Sequence, residues 1–304
     1  MDLPELKIGH LLAKVPIVQG GMGVGISLSS LAGNVALNGG IGVISAVEIG
    51  FNEPDYLTNK VEANLRALRW HIKKARDISK GGILGINIMV ALNNFEQMVV
   101  EAVKEKIDII FSGAGLPLKL PKYTKGSDTK IVPIVSSGRA AEVICKNWHK
   151  NYGVAPDAIV VEGPLAGGHL GFKEEEIYKP SFQLHQLIKD VLVAIKPFEA
   201  IYNRKIPVIA AGGIFSGRDI AEFMHLCAAG VQMATRFVAT HECDASEEFK
   251  KMCLNADPDD IQIIQSPVGM IGRAIKNKFL EDVVAGQRKP IRCISNCLKP
   301  CKPA

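Results

Sequence analysis

The stretch Ala158 to Phe172 reads A-I-V-V-E-G-P-L-A-G-G-H-L-G-F, and its order of residue types decides the fold. Ala158 to Val161 is a continuous apolar run rich in β-branched side chains, the pattern of a parallel strand covered on both faces. The run stops at Glu162, and a glycine-rich turn then carries His169 beside Gly167, Gly168 and Gly171. In parallel α/β folds, functional groups gather just past the carboxyl ends of strands. His169 therefore stands where chemistry is expected. The flanking glycines remove bulk and permit positive φ, so backbone can approach a flat or charged ligand closely. A histidine in a flexible turn is the competing reading, and spacing alone leaves both open.

Seven further apolar runs repeat the pattern: Val15 to Gln19, Gly42 to Val47, Gly85 to Val90, Ile107 to Ser112, Ile131 to Val135, Pro207 to Ala211 and Val231 to Thr235. Helical periodicity fills the intervals, over Leu28 to Leu37, Asn64 to Ser79, Phe95 to Glu105, Ala140 to Lys150, Phe182 to Tyr202 and Gly217 to Ala229. Strand and helix in alternation imply a parallel sheet, and eight repeats favour a closed barrel over an open sheet. The expected fold is therefore α/β, a (β/α)8 TIM barrel with a C-terminal extension. Residues 1–290 are assigned to the barrel and its closing segment, and 291–304 to a cysteine-containing tail.

The chain has 304 residues, 47% hydrophobic and 22% charged, enough for a large core. Its net charge of +5 comes from 36 basic and 31 acidic residues mixed along the sequence, which argues against a nucleic-acid arm or a polybasic membrane anchor. The first ten residues include Asp2 and Glu5 and hold no apolar core of signal-peptide length, and no run is long enough to span a bilayer. A soluble, cytoplasmic protein is expected. Seven cysteines cannot all pair within one chain, so reduced thiols are the default.

Gly20, Gly21, Gly23 and Gly25 follow the first run and precede a helix, a phosphate-binding layout that invites a dinucleotide reading with Glu48 downstream. The spacing fails, because Ile26 stands where the third glycine belongs. Asn87 breaks an apolar strand, which is costly when buried unless its amide is bonded. It serves either a neighbouring loop or a polar ligand at the barrel mouth. Arg66, Arg69, Lys73, Arg76 and the run Glu174 to Glu176 read as solvated charge. Trp148 and His149 read as packing and surface groups. The segment Leu116 to Lys130, rich in lysine and proline, is a candidate loop over the mouth. The phosphate site of such barrels lies after strands seven and eight, and here those loops offer Ala211-Gly212-Gly213 and Ala234-Thr235-Arg236, with backbone donors and a hydroxyl.

Taken together and in order, six motifs resemble the nitronate monooxygenase (2-nitropropane dioxygenase-like) flavoproteins, close to the flavin-dependent enoyl-acyl-carrier-protein reductases. They are P-I-V-Q-G-G-M at Pro16 to Met22, G-I-N at Gly85 to Asn87, S-G-A-G at Ser112 to Gly115, E-G-P-L-A-G-G-H-L-G at Glu162 to Gly171, A-A-G-G-I at Ala210 to Ile214 and G-V-Q-M-A-T-R-F at Gly230 to Phe237. The resemblance implies one non-covalent FMN at the barrel mouth. Gly20, Gly21, Met22, Asn87, Glu162, Gly167, Gly168 and Gln232 would then line the cofactor, and Ala211, Gly212, Gly213, Met233, Ala234 and Thr235 would surround its phosphate.

It also implies that His169 is catalytic, as a base or by orienting a nitro group during oxidation of an alkyl nitronate with O2. Two alternatives stay open: reduction of an enoyl thioester with NAD(P)H, and a non-catalytic flavin- or phosphate-binding protein. A small-molecule substrate is expected, with neither nucleic acid nor membrane as partner, and a homodimer is compatible with the sequence.

Ala234 departs from the resemblance where relatives often have glycine, and Pro164 and Leu165 stand where they more often have polar residues. Arg273 and Lys276, in a closing segment Ser266 to Asn277, either face an anionic substrate or are surface charges. Cys293, Cys297 and Cys301 recur at a spacing of four, which matches no standard zinc pattern, and read as thiols rather than metal ligands. No metal is expected.

Overall fold

The eight apolar runs form eight parallel strands closed into a barrel. The computed structural model describes residues 4–266, 270–287 and 297–299. In chain order the elements are a hairpin of β1 (Leu6–Ile8) and β2 (Leu11–Ala13), then β3 (Ile17–Gln19), α1 (Ser29–Leu37), β4 (Gly42–Ser45), α2 (Lys60–Ser79), β5 (Leu84–Asn87), α3 (Phe95–Lys104), β6 (Ile109–Ser112), α4 (Leu120–Thr124) and β7 (Lys130–Val135). The second half runs α5 (Gly138–Tyr152), β8 (Ile159–Glu162), β9 (Gly168–His169), α6 (Leu184–Tyr202), β10 (Val208–Ala211), α7 (Gly217–His225), β11 (Gly230–Met233), α8 (Thr235–Val238), α9 (Glu247–Asn255), β12 (Ile261–Gln265), β13 (Ile271–Ile275) and α10 (Lys278–Val284).

Hydrogen-bonded neighbours follow the order β3-β11-β10-β8-β7-β6-β5-β4. A parallel bridge from Val18 to Ile41 closes the ring. Buried Gln19 extends that seam, because its Oε1 accepts the Val43 amide at 3.0 Å.

Side chains alternate between two cores, as the period of two along a strand requires. Val18, Val43, Phe111, Val132, Val160 and Ile209 pack inside the barrel, while Ile44, Ile86, Ile110, Val161 and Val208 face the surrounding helices. Each such Val, Ile or Phe contributes about 1.5–3 kcal/mol by leaving water. Gly85 leaves room for the Phe111 ring, which would lie 2.7 Å from a Cβ there. Leu6, Ile8 and Ala13 of the amino-terminal hairpin join the inner core.

The segment Leu116 to Lys130 is not a loop over the mouth. Leu120 is fully buried in the outer core, and the Trp148 indole donates to Pro117 O at 3.1 Å, so α4 takes the place of a barrel helix. Trp148 is thus a packing residue. His149 is exposed and bonds the Tyr202 hydroxyl at 2.9 Å. No helix among the described residues is long and apolar enough to cross a membrane.

Candidate active site

The alternation that builds the two cores also selects what faces the mouth. On β8, Val160 points inward and Ile159 and Val161 outward, so Glu162 turns inward at the strand's carboxyl end. On β5, Ile86 is outward and Asn87 inward; on β11, Val231 and Met233 are outward and Gln232 inward. These three long polar side chains thus share the uppermost inward layer, beside the small Ser45 of β4. None of the three has a side-chain hydrogen bond or ion pair among the described residues. All three are half-buried and their unpaired polar atoms still reach solvent, which leaves them free to pair with a ligand. Burial alone pushes the Glu162 carboxyl up from 4.5 to about 7.

Glycines draw the loops onto this layer. A Cβ on Gly21 would lie 2.5 Å from Asn87 Cβ, and one on Gly20 would lie 3.4 Å from Gln232 Cγ. The β3 loop therefore rests on both amide side chains, with the Gly20 amide bonded to Met233 O at 2.8 Å and the Met22 amide to Ser27 Oγ at 2.8 Å.

After β10, Gly212 and Gly213 adopt φ of +94° and +82°, and a Cβ on Gly212 would meet Gly163 O at 2.9 Å. Only glycine fits that conformation and that space. The amides of Gly212, Gly213 and Ala234 have no acceptor among the described residues. Ala234 has φ of −127°, so alanine sits there without strain, and Thr235 opens α8. Ala211 and Met233 are buried and reach the rim through backbone only.

The other phosphate-like layout, at α1, is already filled. The Asp244 carboxylate accepts from the amides of Leu28, Ser30 and Leu31 at 2.8, 3.1 and 3.1 Å. The turn from Gly20 to Gly25 is therefore no dinucleotide site.

His169 lies on β9, which pairs antiparallel with β13 through Gly272 and His169 and through Arg273 and Gly168. Its Nε2 bonds Ser266 Oγ at 2.8 Å, and partial burial lowers its pKa below 6.5, so the imidazole is neutral at pH 7. Gly167 and Gly168 have open space around them, whereas a Cβ on Gly171 would meet Ser136 Oγ at 2.7 Å. Arg273 is not a free surface charge. Its Nε donates to Ala166 O at 3.1 Å and its Nη2 to Pro164 O at 2.7 Å, so it fastens the loop that carries His169. Lys276 lies 3.8 Å from Glu281.

Asp244, Ser266 and Arg273 are the residues that sequence reasoning missed or left open. Each acts on a partner about a hundred residues or more away, and no local pattern announces it. Cys293 and Cys301 lie outside the described residues. Cys297 belongs to a strap: its carbonyl accepts the Asn93 amide at 3.1 Å, and the Lys299 amide donates to Ala91 O at 2.8 Å.

Residues 5–301 match the family described as nitronate monooxygenase. A probable nitronate monooxygenase of Staphylococcus aureus is 28% identical over 296 residues, spanning 90% of this chain and 78% of that one. FabK from Thermotoga maritima superposes with a TM-score of 0.70 at 27% identity, over 90% of this chain and 75% of that one. Nitroalkane oxidase from Streptomyces ansochromogenes, at 21% identity and a TM-score of 0.69 over 88% and 78% of the two chains, shares the fold.

Proposed function

Because the chain belongs to the nitronate monooxygenase family, a family of oxidoreductases, we propose that it oxidises alkyl nitronates with O2 using FMN held at the carboxyl mouth of the barrel. One observation carries this reading. Asn87, Glu162 and Gln232 turn into the mouth without partners while the Gly212, Gly213 and Ala234 amides lack acceptors. A polar-edged ring with a phosphate would satisfy both sets.

When bound, a flavin supplies the electron acceptor and the reactivity toward oxygen. The chain supplies position. Gly20, Gly21 and Met22 bring backbone to one side of the ring, and Gly167 and Gly168 leave room beneath His169. Asn87 and Gln232 each offer an amide donor and acceptor to its polar edge. The amides of Gly212, Gly213 and Ala234, with the Thr235 hydroxyl, would hold the phosphate. His169, neutral at pH 7, has one nitrogen on Ser266 and the other for substrate. It orients a nitro group as a donor, or accepts an α-proton when the substrate arrives as the neutral nitroalkane.

Leu165 and Phe215, 57% and 50% exposed on the loops after β8 and β10, favour a second reading with an acyl substrate, the enoyl thioester. Absorption spectra of the purified protein, taken anaerobically with NADH, NADPH or an alkyl nitronate added separately, distinguish the two. Bleaching by nitronate alone supports the oxidation of nitronates, and bleaching by a pyridine nucleotide supports the enoyl reductase. A colourless protein that FMN cannot reconstitute overturns both.

A further inference from the structure

We propose that Glu162 is a neutral carboxylic acid in the loaded site and donates its proton in a hydrogen bond to an acceptor atom of the flavin ring. This rests on the flavin reading. Gln19, Ser45, Asn87, Ser112 and Gln232, with Ser136 just past β7, are the other polar side chains at strand ends around the mouth, and no lysine or arginine stands among them. No side chain among the described residues bonds or ion-pairs with Glu162.

The elements packed against it hold few charges. β7 ends at Val135 and runs into Ser136 and Ser137, and β10 ends at Ala211 and runs into Gly212. Arg139, in the first turn of α5, is exposed. The Arg273 guanidinium is committed to Pro164 O and Ala166 O. His169, on the same loop as Glu162, is neutral at pH 7. None of them perturbs the carboxyl, whose displacement comes from burial alone.

A carboxylate only accepts hydrogen bonds, whereas a carboxylic acid brings one O–H donor. The polar edge of an isoalloxazine presents two carbonyl oxygens and gains negative charge on reduction. A carboxylate beside it, with no cation to offset either charge, would repel it. The acid form pairs with it. A ring laid over the mouth also removes the remaining water from Glu162, which favours the uncharged form further. FMN binding above pH 7 should therefore draw about one proton onto Glu162.

The test measures the FMN dissociation constant of the apoprotein by quenching of flavin fluorescence at pH 6.5, 7.5 and 8.5, for the wild type and Glu162→Gln. Ionisation of the FMN phosphate is common to both and cancels in their ratio. The glutamine keeps a donor without titrating. The wild-type constant should rise relative to that of the variant by up to roughly tenfold per pH unit above 7.

A second measurement needs no variant. Calorimetric titration of the wild type with FMN at pH 8, in two buffers of different ionisation enthalpy, should show uptake of about one proton. Parallel pH profiles with no proton uptake overturn the assignment of Glu162 and leave the flavin reading intact. Failure of the wild type to bind FMN at any pH overturns both.

Discussion

Replacing Glu162 by Gln should stabilise the flavin-free chain at pH 8 and not at pH 4. The carboxyl has a folded pKa of about 7 against 4.5 for the free group, a gap set by burial. At about 1.36 kcal/mol per unit, that gap is worth about 3 kcal/mol. Because the folded pKa is the higher one, the favourable contribution is fully present below pH 4.5, declines as pH rises, and is lost above about 7. Physically, the unfolded chain ionises first, and the folded chain must then either hold the proton or bury a charge.

Glutamine has nearly the same shape and does not titrate. The difference in unfolding free energy between variant and wild type should therefore grow by about 3 kcal/mol between pH 4 and pH 8. Urea unfolding of both apoproteins across that range, followed by circular dichroism, measures it. Two stability profiles that run parallel from pH 4 to 8 would refute the premise that this carboxyl is desolvated and unpartnered.

Three further substitutions separate the parts of the site. Asp244→Ala removes the acceptor for three amides of the α1 amino terminus and should cost about 2 kcal/mol in urea unfolding, with FMN affinity unchanged. Loss of FMN affinity at constant stability would instead make that helix end a ligand site. Gly212→Ala forces a side chain onto φ of +94° and to 2.9 Å from Gly163 O, and should weaken FMN binding at least tenfold in a fluorescence titration. Arg273→Ala frees the loop carrying His169 and should lower kcat about tenfold while FMN affinity changes less than about twofold. Rescue of kcat by lysine would weaken the case for the two-carbonyl clamp, because a point-charge ammonium does not reproduce the guanidinium fork.

The barrel was legible because each strand is a short apolar run that announces itself without reference to the others. Its ends were less so. The run read as Val231 to Thr235 stops at Met233, and Thr235 starts a helical turn, because periodicity cannot separate the last strand residue from the first loop residue. The amino-terminal hairpin went unread. Its strands have three residues each, too few for alternation to register, and only the inner core that receives Leu6 and Ile8 gives it meaning. In the tail, the spacing of cysteines drew attention to thiols. The described part holds on by backbone, by Leu298, which bridges to Leu92 and is 5% exposed, and by Lys299, whose Nζ donates to Val90 O at 3.0 Å.

The site itself was half written in the sequence, and the legible half follows one rule. Once a run is a barrel strand, the period of two says which of its residues face inward, and the last inward position is the one that meets a ligand. Asn87, Glu162 and Gln232 are the residues at which three otherwise apolar runs turn polar, and all three fall on that position. A polar residue there has no protein partner unless another strand end supplies one, and none does among the described residues. The illegible half is what holds this layer in place. Arg273 reaches Pro164 only after β13 has paired with β9, and Asp244 reaches α1 across more than 200 residues. These contacts depend on where loops return, which no local period encodes. The polar residues that face the mouth can thus be read from strand patterns, while those that fasten the loop of His169 emerge only when the loops are folded.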